Sequence, residues 1–238
     1  MFYYIISALL SYRIILIAAA VIPAVFLMLK VYRSDRLERE NPAVLKNLVL
    51  AGILSSLIAL VSERVFSALL GALVKDAKLY QVLLYFVVVA CSEEGAKYFM
   101  LKRRTWNSPE FNCQYDGVVF AVFVSLGFAV WENISYVLHY GFTTALVRAV
   151  TAIPGHTCFG VFMGVFYGFA RNLENQGLKR EAKHCRVFSV VVPALLHGTY
   201  DYIASSGGSD WFFVAFIAVL FVVSYVLITK MSRKDKFI

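Results

Sequence analysis

Seven long apolar runs follow one another along the chain, at roughly residues 3–29, 48–74, 79–101, 117–139, 147–170, 187–206 and 211–229, with polar stretches between them. Each approaches or exceeds the ~20 apolar residues that an α-helix needs to cross a ~30 Å hydrocarbon layer. None shows the short alternating segments of a transmembrane barrel. The predicted fold is therefore all-α, a polytopic membrane bundle of about seven helices. No half of the chain repeats the other and no long linker divides it. Residues 1–238 read as one membrane-embedded domain, with the chemically marked core at about 79–206.

Composition agrees with the pattern. Hydrophobic residues make up 60% of the chain and the mean hydropathy is +0.71, more apolar surface than one soluble core of this length would house. The first run lacks a basic stretch ahead of it and is interrupted by Arg13, so it reads as a helix rather than a cleaved signal peptide.

Charge sets the predicted orientation, because Lys and Arg concentrate in cytoplasmic loops. Of 23 such residues, Lys75, Lys78 and Arg148 fall between spans on one side, and Arg13, Arg64 and Lys97 fall within spans. All the others lie after the first, third and fifth runs or in the tail. The N-terminus is expected outside and the C-terminus in the cytoplasm. A net charge of +8 then reflects topology, and no nucleic-acid partner is expected. The four cysteines show no CxxC spacing, so neither a disulfide nor a thiolate metal site is expected.

Several ionisable residues interrupt the apolar runs. An ionisable group at mid-bilayer costs about 2.5–3.5 kcal/mol on insertion scales and usually faces a bundle interior. Glu93, Glu94 and Lys97 lie in the third run, Glu132 and Asn133 in the fourth, His156 in the fifth, and His197 and Asp201 in the sixth. Glu93 and Lys97 are four apart, as are His197 and Asp201, so each pair shares a helix face. Four helices that each carry an acid or an imidazole bury them best in one shared polar site. The plainer alternative is a set of separate interhelical hydrogen bonds, as membrane bundles use. Gly160, Gly164 and Gly168 follow His156 at intervals of four, a stripe that seats that helix against a neighbour, and Pro154 is placed to open the backbone just before the histidine. Glu63 and Arg64 read as outer-end charges of the second helix, His139 and His184 as solvated.

Such a set has the parts for water activation: a carboxylate to take a proton, an imidazole to stabilise an oxyanion, an acid to protonate a leaving amine. GxSxG and HExxH are absent, which disfavours a serine nucleophile and a helical zinc motif. Peptide hydrolysis is the natural reaction.

The motifs EEGAK (Glu93, Glu94, Lys97), FAVWEN (Glu132, Asn133), PGHTCFGVFMG (His156) and HGTYD (His197, Asp201) together resemble those of the PrsW family of bacterial intramembrane proteases. That family is similar in turn to the CAAX prenyl endopeptidases and the bacteriocin-processing CPBP proteins. The resemblance covers about residues 88–205. It implies a bacterial cell-membrane protease that makes the first, extracytoplasmic cut in a single-span anti-sigma factor. Carried over by motif, Glu93, Glu94, Glu132, His156 and His197 are the expected catalytic residues, with Lys97, Asn133 and Asp201 supporting them. In the prenyl endopeptidases histidine stands where this chain has Glu132, and asparagine where it has Asp201.

Three mechanisms or functions compete at this level. Either glutamate activates the water with no cofactor, or zinc does, held by His156, His197, Glu94 and Glu132. From another class, a proton- or metal-coupled transporter would also use intramembrane acids and histidines. The expected partners are the bilayer and a membrane-protein substrate.

Overall fold

The structure is a computed structural model that describes residues 2–206 and 210–238. Among the described residues nine α-helices follow in order: α1 (Phe2–Ser34), α2 (Pro42–Leu73), α3 (Ala77–Leu83), α4 (Ala90–Thr105), α5 (Asp116–Tyr140), α6 (Phe142–Val150), α7 (Ala152–Asn175), α8 (Lys179–Ser205) and α9 (Asp210–Arg233). A π-helical turn, Leu84–Val89, joins α3 to α4 without a break. Together they form seven stretches long and apolar enough to span a membrane, and no strand occurs among the described residues.

Most of the spans extend beyond the apolar runs at both ends. The second span begins at Pro42, not 48: Asn41 caps it by accepting the Ala43 N–H at 2.9 Å, and Pro42 fills a first-turn position whose missing N–H costs nothing. Most basic residues assigned to loops lie on helix ends instead, Lys30 and Arg33 on α1, Lys46 on α2, Lys102 to Arg104 on α4, and Lys179 to Arg186 on α8. Hydropathy detects only the hydrocarbon part of a helix. These helices run on to where long cationic side chains reach water. The fifth span divides in two. Gly141, at φ +84°, ends α5 and turns the chain into the short amphipathic α6, and the backbone breaks again at Thr151. Pro154 sits in the first turn of α7, where a proline is tolerated, so the opening lies before it.

α5 is the central post, packed mainly against α7, α2 and α1. Small residues permit these close crossings. A side chain at Gly164 or Gly168 would run into the backbone of Gly117 or Gln114, and one at Gly52 into that of α5 at Val124. The Ser125 hydroxyl donates to the His156 carbonyl at 2.7 Å, locking α5 to α7 at the histidine. α1, α2, α8 and α9 turn apolar side chains such as Ile22, Val61, Leu195 and Val222 outward, as helices in lipid do. At one end of the bundle the tail is tied in, Ile238 N–H donating to Asn112 O at 2.7 Å and Gln114 N–H to Lys236 O at 3.1 Å.

Candidate active site

Glu93, Glu94 and Lys97 project from one face of α4, whose span centre they occupy once its true extent, Ala77–Thr105, is known. With the sequence boundaries the acids and histidines differ in depth by more than a turn. In the structure they touch. The π turn just upstream widens the helix, a feature often found beside functional sites, and Gly198 of α8 packs against Phe86 within that turn. This brings the neighbouring His197 against α4.

Lys97 is the hub. Its fully buried ammonium lies 3.1 Å from Glu93 Oε2, 2.7 Å from Glu94 Oε1 and 3.2 Å from His156 Nδ1. An ammonium has three donors and no acceptor, so all three are used. His156 Nδ1 must then accept, which leaves the proton on Nε2, where Glu132 Oε2 accepts it at 2.8 Å. The partners thus fix the tautomer. His197 donates through Nδ1 to Glu94 Oε1 at 2.9 Å and faces Asp201 Oδ2 with Nε2 at 3.4 Å. Phe159 stacks on His197, ring centroids 4.8 Å apart, and the Phe128 ring lies 4.0 Å from the Lys97 ammonium. These rings hold the polar groups in fixed orientations.

A cavity of about 400 Å³ opens beside this cluster. Glu93, Glu132, His156, His197 and Asp201 line it, whereas Glu94 and Lys97 do not. Glu94 is fully buried behind Glu93, and its Oε2 has no hydrogen-bond partner. The two adjacent glutamates therefore occupy different environments.

Each acid, histidine and lysine expected at the site lies in this cluster or lines its cavity. Asn133 joins indirectly, accepting from Arg148 Nε at 2.6 Å, while Arg148 Nη2 pairs with Glu132 Oε1 at 3.0 Å. Arg148, by sequence a charge between spans on the outer side, sits on α6 and lines the cavity. Glu63, read as a charge on the outer end of α2, also lines the cavity. Tyr200 lines it too, and only its place one turn from His197 could have marked it.

Glu93, Glu94 and His156 each offer a ligand atom within 4.8 Å of the others. These are ligand types zinc accepts. The zinc set expected from sequence, His156, His197, Glu94 and Glu132, is not the set that converges. The space between the three converging atoms is taken by the Lys97 ammonium, which touches all of them, so as the side chains stand the site does not fit a metal.

The family model described as "PrsW family intramembrane metalloprotease" matches residues 40–228. A relative named Protease PrsW from Halalkalibacterium halodurans is 32% identical over 93% of this chain and 97% of its own length. Another of that name from Clostridioides difficile is 30% identical over 91% and 87% respectively. One from Bacillus subtilis is 40% identical over about half of each chain, 51% and 53%. No solved structure matches.

Proposed function

The chain belongs to the PrsW family of intramembrane metalloproteases and is a multi-pass bacterial membrane peptidase; from that premise we propose that Glu93 activates the water that cleaves a peptide bond of a membrane-embedded substrate. One observation carries this reading: Glu93 lines the cavity, while Glu94 is sealed behind it. Glu93 takes a proton from water as the water oxygen bonds to the scissile carbonyl carbon. The C–N bond then breaks, and the same proton passes to the leaving nitrogen. His156 and His197 lie on the cavity wall, and the oxyanion shares the N–H that His156 Nε2 gives Glu132 and the one that a protonated His197 turns toward Asp201. Glu94 and Lys97 act by holding His197, His156 and Glu93 in place. Glu132 fixes the His156 tautomer, with Arg148 and Asn133 behind it, and Asp201 orients His197.

The substrate we assign is a single-span anti-sigma factor, cut first on its extracytoplasmic side, with the N-terminus of this chain outside. The four motifs support it through their resemblance to the family. Purified protein incubated with candidate anti-sigma factors should yield one such cut by mass spectrometry, absent with Glu93→Gln. Uncut candidates would overturn the substrate assignment. Cleavage that persists at the wild-type rate in Glu93→Gln would overturn the chemistry.

A second reading rests on the family's description and on the grouping of Glu93, Glu94 and His156. With Lys97 withdrawn, those three residues would hold a zinc ion, which lowers the pKa of a bound water. Stoichiometric zinc in active protein, with cleavage lost on chelation, would establish it. The transporter alternative has no support from a family of proteases.

A further inference from the structure

A second cavity, about 570 Å³, lies on the other side of α7 from the active site, between α1, α7 and α9. α7 is the wall between them: His156 and Phe159 face the active-site cavity, while Thr157 and Cys158 face this one. Along α9 its lining runs from Phe221 to Arg233, about 18 Å at the α-helical rise. That is close to half of a ~30 Å hydrocarbon core, the depth of one leaflet.

The two ends differ in chemistry. Leu27, Val31, Phe221 and Ile228 make the body apolar. The mouth carries Lys30, Arg33, Arg36 and Arg233, all exposed. None of these four joins an ion pair among the described residues. Lys30 only leans toward the Tyr225 ring, 5.6 Å from its centroid. The nearest acids in sequence, Asp35 and Asp235, do not line the cavity. Four unpaired cations around one opening attract an anion, and in the orientation expected from the charge distribution this end of the bundle faces the anionic cytoplasmic leaflet.

A polar atom inside the groove points the same way. Thr229 and Ser34, also in the lining, donate to the carbonyls of Tyr225 and Lys30 on their own helices. The Ser224 hydroxyl is only 4% exposed and has no hydrogen-bond partner. It lies one turn above Ile228, at the depth where the ester oxygens or upper chain of a seated lipid would pass.

We propose that this groove is a binding site for one anionic glycerophospholipid, its phosphate held by Lys30, Arg33, Arg36 and Arg233 and one acyl chain laid along α9. A zwitterionic lipid would bring its own cation to the same mouth and bind less well.

Native mass spectrometry of delipidated protein titrated with phosphatidylglycerol or phosphatidylcholine tests the proposal. One phosphatidylglycerol should be retained per chain in preference to phosphatidylcholine. Removing two charges with Arg33→Gln and Arg233→Gln, both exposed and outside the packed core, should weaken retention roughly twenty-five-fold, at about a factor of five per charge. Ser224→Phe, which fills the groove and leaves the charge intact, should weaken it as well. Equal retention of the two lipids would overturn the proposal. So would double-variant protein that binds like wild type, or full displacement of the lipid by equimolar glycerol phosphate, which would mean a soluble-anion site.

Discussion

Lys97 decides how the site is read at the scale of single residues. Its ammonium takes the place where three potential metal ligands converge and pairs with two buried carboxylates. Removing one partner of a buried ion pair costs about 3–5 kcal/mol, because the other is left uncompensated. Lys97→Met should therefore lower the unfolding temperature in detergent markedly, and adding Glu94→Gln should recover much of the loss. A single variant as stable as wild type would show that the pair is not buried as described. The acids and histidines of the site were legible in the sequence because an ionisable residue inside an apolar run is costly and stands out. Arg148 and Glu63 were not, since they lie near the ends of spans, where charges are ordinary. Nor could the sequence rank Glu93 against Glu94, because adjacent residues differ only in which way the helix turns them.

Among the elements, α5 and α7 bring Glu132 and His156 together, and their closeness depends on glycine. Gly→Ala within a helix gains about 1 kcal/mol of propensity. At Gly164, however, the new methyl would meet the Gly117 carbonyl and the Val118 backbone, which cannot rotate away, and overpacking costs about 1–3 kcal/mol. The clash should win. Gly164→Ala should unfold at lower temperature and lose activity, whereas Gly95→Ala, with nothing within 4 Å of the added atom, should do neither. The reverse order would mean that α5 and α7 pack differently. The glycine stripe was visible as a spacing in the sequence. The division between α6 and α7 was not, because hydropathy continues across the break at Thr151, and the π turn has no sequence signature of its own.

On the scale of the whole molecule, the linker after α1, the start of α5 and the tail meet at one end of the bundle and bury a group of carboxylates. Burial first, then Asp116, Asp35 and Glu110 nearby, pushes the Glu40 carboxyl up to about 10. Burial and Asp235 push Asp35 up to about 6, against the N–H groups of Leu37 and Glu38, which draw it down. Both groups bind protons more tightly in the folded state. Their contribution is complete below the unfolded values near 4 and is lost as pH rises, through about 6 for Asp35 and about 10 for Glu40. Glu40→Gln should thus gain unfolding temperature relative to wild type between pH 5 and pH 9, and a difference independent of pH would contradict the burial. The four motif-bearing helices α4, α5, α7 and α8, with Glu63 of α2 and Arg148 of α6, line one cavity, and of the glutamate pair Glu93 reaches it. The most direct measurement is the single-turnover cleavage rate of a membrane substrate by purified wild type, Glu93→Gln and Glu94→Gln, each shown to be folded. Loss of a general base lowers the rate by about 10²–10⁴-fold. Glu93→Gln should fall by that much with substrate binding retained, and a Glu93→Gln variant that cleaves at the wild-type rate would contradict the assignment.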